Sequence, residues 1–64
     1  MVDVENAAGI LSLAERFNAP QLRKFVMEFI FANINAVMQT EGFKELDRDV
    51  MNSIILEAVK KQAF

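Results

Sequence analysis

The stretch Pro20-Gln21-Leu22-Arg23-Lys24-Phe25-Val26-Met27-Glu28-Phe29-Ile30-Phe31-Ala32-Asn33 decides how this chain folds. Proline at its head suits the first turn of a helix, where a missing N–H does no harm. Leu22, Phe25, Val26, Phe29 and Ile30 then recur at the i, i+3, i+4, i+7, i+8 spacing of a core-facing stripe. Met27, Phe31 and Ile34 form a second apolar stripe turned away from the first, which leaves only Gln21, Lys24, Glu28 and Ala32 for water. A small helical domain covers one such stripe easily, whereas two stripes ask for protein on both sides. The sequence therefore predicts a module that binds protein.

Working toward the N-terminus, Asp3 is placed to cap a first helix, with Glu5 in the first turn where the helix dipole favours negative charge. Ala7, Ile10, Leu11, Leu13, Ala14 and Phe17 are expected on its inner side, with Glu5, Gly9, Ser12 and Arg16 outside. Gly9 costs about 1 kcal/mol relative to alanine in mid-helix. It reads either as a solvent-facing glycine or as a place where a partner backbone approaches closely. Asn18 is expected to end this helix and to cap the next, and so short a loop demands a hairpin of two helices.

Beyond Asn33 the expectation is a short apolar piece, Ile34 to Met38, and then about one turn from Glu41 to Leu46 capped by Thr40. A last helix follows, capped by Asp47, with Asp49 in its first turn and Lys60 and Lys61 in its last, both complementary to the dipole. Val50, Met51, Ile54, Ile55, Ala58 and Val59 share one broad face, and Leu56 points nearly opposite. No segment alternates as a strand does. The fold class is thus all-α, a single domain over residues 1–64 of two to three helical hairpin elements, with three long helices and one or two short ones.

Length and composition bound the function. A chain of 64 residues holds one thin core and buries only about 60% of the surface its unfolded form exposes. Yet 53% of its residues are hydrophobic, an excess for a partner or a second copy to cover. No run approaches the ~20 apolar residues of a membrane span. The N-terminus lacks the pattern of a signal peptide, so an intracellular location, nuclear or cytoplasmic, is expected. A net charge of −2, with Arg23-Lys24 and Lys60-Lys61 as isolated basic pairs, argues against nucleic acid.

The chemistry of catalysis is poorly represented. The chain has no histidine, cysteine or tyrosine, which removes the commonest general bases and nucleophiles. Glu45-Leu46-Asp47-Arg48-Asp49 is the tightest acidic cluster, but it lacks the ligand spacing, turn glycine and closing glutamate of a calcium loop, and helix capping accounts for it. Neither a phosphate-binding glycine loop nor a base for Ser12 or Ser53 is visible. No catalytic, cofactor or metal site is expected. Among the methionines, Met38 and Met51 read as core filler, while Met27 suits core and interface equally.

Val4-Glu5-Asn6-Ala7-Ala8, Ile10-Leu11, Leu13-Ala14, Ala19, Gln21-Leu22, Phe29-Ile30, Thr40-Glu41-Gly42-Phe43 and Glu57-Ala58 together carry a resemblance. They are similar to the segment that follows the BTB fold in BTB proteins, called the 3-box or BACK domain. The likeness is strongest to the MATH-BTB group typified by the speckle-type POZ protein, and it covers nearly the whole chain. Many relatives carry a cysteine where Val26 stands, and others a tryptophan where Phe43 stands; both changes keep the apolar character.

The resemblance implies a non-enzymatic module in a substrate adaptor of cullin-RING ubiquitin ligases. It implies a homodimer contact on the last helix through Ile55, Leu56 and Val59, to which the second stripe adds Met27 and Phe31. A cullin-side surface would lie on the first two helices, with Leu11, Phe17 and Leu22 as candidates. The alternative is a docking half-site that packs on the upstream BTB fold and completes the cullin groove without self-associating. Partners would be a second copy, the BTB domain and the cullin. Because Met1 stands almost where the matching segment begins, the chain is expected to be an excised or truncated piece.

Overall fold

A computed structural model describes residues 1–62. Its five helices are α1 (Ala7–Arg16), α2 (Pro20–Ala32), α3 (Ile34–Met38), α4 (Glu41–Lys44) and α5 (Arg48–Lys60). Three are long and two short, as the sequence predicts. α1 and α2 pack as the principal hairpin, α4 closes on α1, and α3 links α2 to α4. α5 lies across the others, touching several of them lightly rather than pairing with one.

Local chemistry sets most of the boundaries. The Asn6 amide donates to the Asp3 carboxylate at 2.9 Å while the Asp3 amide donates to Asn6 Oδ1 at 2.7 Å. This reciprocal pair folds a turn ahead of the regular helix, so Asp3 caps that turn and Asn6 occupies the N-cap position of α1 itself. At the other end of α1, Asn18 takes a left-handed conformation at φ 55°. The Ala19 amide donates to the Ala14 carbonyl at 2.9 Å and the Asn18 amide to that of Glu15 at 3.3 Å, a Schellman stop that satisfies two orphan carbonyls. Asn18 therefore ends α1 as expected but does not cap α2, whose N-cap position belongs to Ala19.

α2 stops at Asn33, whose side-chain amide donates back to the Phe29 carbonyl at 3.0 Å and competes with continuation of the helix. Thr40 behaves as predicted, its hydroxyl accepting from the Phe43 amide at 3.2 Å. The same hydroxyl donates to the Val37 carbonyl at 2.7 Å, so this buried polar side chain is satisfied in both roles. Asp47 stands at the N-cap of α5 without a side-chain capping bond.

The core consists of Ala7, Ala8 and Leu11 of α1, Val26, Met27 and Ile30 of α2, Ile34 and Val37 of α3, Phe43 of α4, and Ile54 and Ala58 of α5. It differs from the predicted core in a systematic way. On α1 Ala7, Leu11 and Ala14 face inward as expected and Ala8 joins them, while Leu13 and Phe17 face water. On α2 the inner face runs through Val26, Met27 and Ile30, and Leu22 and Phe25 are exposed. That face lies between the two predicted stripes, a rotation of the helix by roughly a quarter turn at 3.6 residues per turn. The second stripe is consequently no spare face. Met27 and Ile34 are buried, and Phe31 is half-buried with the Lys61 ammonium 5.6 Å from its ring centroid.

Close backbone approach explains the inward alanines. An added Cβ on Gly42 of α4 would sit 3.6 Å from the Ala8 side chain and 3.6 Å from the Glu5 carbonyl. A larger side chain at Ala8 would press on α4. Gly9, by contrast, faces open space, with nothing within 4 Å of an added Cβ.

Candidate interaction surfaces

Two regions of the surface carry large apolar side chains. The first is the turn end of the α1–α2 hairpin. Leu13 of α1 stands four residues before Phe17 at its C-cap, and Leu22 and Phe25 share a face of α2 at i, i+3. Phe17 is 70% exposed and Phe25 61%. The second region is the outer side of α5, where Leu56 is 62% exposed and Val59 58%. With Ile54 and Ala58 turned inward, Val59 falls outside the broad apolar face predicted for it and lies about 60° around the helix from Leu56.

The predicted contact residues divide accordingly. Leu56 and Val59 are fully available on one helix, with half-buried Ile55 at their flank. Phe17 and Leu22 are available at the hairpin end. Met27, at 4% exposure, belongs to the core and presents nothing to a dimer partner. Leu11, at 1%, is likewise core and cannot contribute to a cullin-side surface. Phe31 offers only part of its ring, at the edge of a shallow groove of 160 Å³ between α2 and α5 lined also by Met27, Glu57 and Lys61.

The sequence reading missed Leu13 and Phe25 as surface residues and Arg23 as a structural one. Arg23 Nε lies 2.7 Å from Glu15 Oε1, and Nη2 lies 3.3 Å from Glu57 Oε2. One guanidinium thus ties α1, α2 and α5 together. A signal was available: Arg23, Val26, Met27 and Ile30 follow i, i+3, i+4, i+7, a core stripe with a charged head at one end. An arginine reaches its charge outward while its stem covers apolar surface, so hydrophobicity alone scores this position as outside.

Among the described residues, no three histidine, cysteine, aspartate or glutamate side chains converge as a metal site. No helix there is long and apolar enough to cross a membrane. The arrangement is that of a small helical scaffold presenting apolar patches.

The particular family follows from sequence comparison. Residues 6–59 match the BPM/SPOP, BACK domain family. The chain is similar to BTB/POZ and MATH domain-containing protein 3 of Arabidopsis thaliana, 49% identical over 47 residues, which cover 70% of this chain and 12% of that protein. Protein 4 of the same series and organism is 37% identical over 62 residues, covering 97% and 13% respectively. Protein 6, also from Arabidopsis thaliana, is 32% identical over 60 residues, covering 91% and 14%. No solved structure matches the chain. The chain belongs to the BACK domain family of the MATH-BTB group, and it spans 12% to 14% of the length of these relatives.

Proposed function

We propose that this chain is a non-catalytic docking module of a BTB-type substrate adaptor for a cullin-RING ubiquitin ligase. Its α1–α2 hairpin end rests on the BTB fold and completes the cullin-binding groove. The observation that supports this reading is the exposure of Leu13, Phe17, Leu22 and Phe25 at one end of the best-packed hairpin. Four large apolar side chains in water on a 64-residue domain are costly unless something covers them. Burying what remains exposed of the four yields about 3–7 kcal/mol together, enough to offset part of the cost of association.

The test is a calorimetric titration of the chain against a separately prepared BTB domain from one of the Arabidopsis relatives. Binding that drops at least tenfold, about 1.4 kcal/mol, in the double variant Phe17→Lys, Phe25→Lys is the expected result. Both positions are exposed, so the variant keeps its fold, which circular dichroism checks. A wild type that makes no contact with the BTB domain overturns the reading.

A second reading, self-association through α5, is favoured by the exposed pair Leu56 and Val59. With Met27 in the core, this contact is smaller than the sequence led us to expect. Covering two aliphatic side chains yields about 2–4 kcal/mol at most, less than or comparable to the ~4–15 kcal/mol entropy cost of association. The α5 contact is accordingly weak alone and effective where a second contact elsewhere in the adaptor supplies local concentration. Sedimentation equilibrium of the wild type at high micromolar concentration, with Leu56→Asp and Val59→Asp as controls, decides it. A concentration-dependent rise toward dimer mass that both variants abolish supports this reading; with two copies tethered to supply the missing local concentration, a wild type that associates no better than the two variants rejects it.

A further inference from the structure

We infer that α5 is a latched flap, which opens as a unit about the Glu45–Asp47 connection while α1 to α4 stay folded, with Arg23 as its latch.

Three observations carry the inference. First, α5 is held differently from the rest. α1, α2, α3 and α4 form a chain of close helix pairs, whereas α5 has no dominant neighbour. It contributes two fully buried side chains, Ile54 and Ala58, one of them only a methyl group. Val50 and Met51 pack against the core but remain half-buried. Elements with little buried apolar surface open at a lower free energy than the whole domain unfolds.

Second, a solvent-open groove runs along the C-terminal half of α5. It measures 160 Å³, with Met27 and Phe31 of α2 on one wall and Glu57 and Lys61 on the other. Side chains on the two walls of this solvent-open groove meet water rather than each other, so packing between the helices is thinner there. At the other end, the connection into α5 is not stiffened, since Asp47 makes no side-chain capping bond.

Third, the ties that span the seam are polar and few. Among the described residues, the Arg23–Glu57 pair at 3.3 Å is the one hydrogen bond that reaches α5 from another helix. The Lys61 ammonium over the Phe31 ring, at 5.6 Å, is a second electrostatic tie at the same end. Arg23 is anchored independently of α5 by its 2.7 Å bond to Glu15. The guanidinium is thus held in place on the hairpin and waits, already oriented, for Glu57 to close on it. Both ties lie near the surface, where salt screens them. Opening uncovers Met27 and the inner face of α5, apolar surface that the closed form hides.

Native-state hydrogen exchange on the full chain tests the inference, at a concentration where sedimentation shows a monomer so that self-association adds no protection. In the wild type, protection factors for the Ile54–Val59 amides should fall at least tenfold below those of Leu11–Ala14 and Val26–Ile30. Glu57→Gln, which removes the charge on the α5 side of the latch, should lower α5 protection a further two- to fivefold, the range of a near-surface ion pair, and leave α1 and α2 unchanged. Raising the salt concentration should reproduce that effect in the wild type and have a smaller one in Glu57→Gln, where only the Lys61–Phe31 tie is left to screen. Glu15→Gln, which severs the hairpin side, should have a smaller effect on α5 than Glu57→Gln. Equal protection in α5 and in the hairpin would overturn the flap. A Glu57→Gln change that leaves α5 unaffected, or that accelerates all helices alike, would overturn the latch.

Discussion

The α1–α4 seam and the α2–α5 seam are two solutions to the same problem of closing one helix on another. At the first, alanine and glycine let backbones meet: Ala8 faces Gly42, and nothing larger than a methyl group intervenes. At the second, the side chains are long, the groove between them is open to solvent, and an arginine bridges what packing does not. Small residues give a close contact that accepts at most a methyl group, because larger growth forces backbones apart. Long charged residues give a contact that adjusts, and that solvent and salt weaken. The difference locates rigidity in α1 to α4 and adaptability in α5.

The largest expected effect would break the rigid side of this contrast. Ile30 is fully buried where α2 meets the core, and Ile30→Ala removes its methyl groups from a region with little room to collapse. A loss of about 2–5 kcal/mol follows, a large share of what a domain this small has in reserve. Thermal denaturation followed by far-UV circular dichroism should show the variant largely unfolded at 37 °C. A shift of only a few degrees would mean that the hairpin is looser than its packing implies.

Next in size is Thr40→Ala. It deletes the hydroxyl that accepts from the Phe43 amide and donates to the Val37 carbonyl. The expected loss is about 1–2 kcal/mol in urea-induced unfolding, with an unchanged slope. Thr40→Ser should recover most of it by keeping the hydroxyl, and no recovery would mean that the methyl group rather than the cap matters here.

How much of this was legible in advance depends on which physical signal each feature used. Helix number, order and approximate ends were readable because they rest on local chemistry: the proline at position 20, the left-handed Asn18, the Thr40 cap, the charges at the ends of α5. Which face of α2 turns inward was not, because that depends on what packs against it. Leu22 and Phe25 looked like core because apolar size is what periodicity weighs. The fold instead adds Ala8 to the expected Ala7 and Ala14 in the interior, and the value of such residues lies in how close another backbone comes, a quantity only the tertiary structure supplies. Arg23 is the same lesson in polar form, since its partners are 8 and 34 residues away in sequence. The sequence thus placed apolar surface to spare in the right protein and, on α2, on the wrong side of the helix.

The smallest effect sharpens the contrast by leaving both seams alone. Gly9 stands in the middle of α1 on the side that no other helix touches, and an added Cβ there meets nothing within 4 Å. Gly9→Ala therefore gains the helix propensity of alanine and the reduced entropy of the unfolded chain without any steric debt, a stabilisation of about 0.5–1 kcal/mol. Gly42→Ala makes the same chemical change on the packed side, where the new methyl would sit 3.6 Å from two neighbours. That is ordinary contact distance, so the gain should survive there only if α4 holds its position against α1. Urea unfolding of the two single variants compares an open glycine with an enclosed one in the same domain. Equal stabilisation would show that the α1–α4 seam has room to spare, and a deficit at Gly42 would show that it is already as close as the backbones allow.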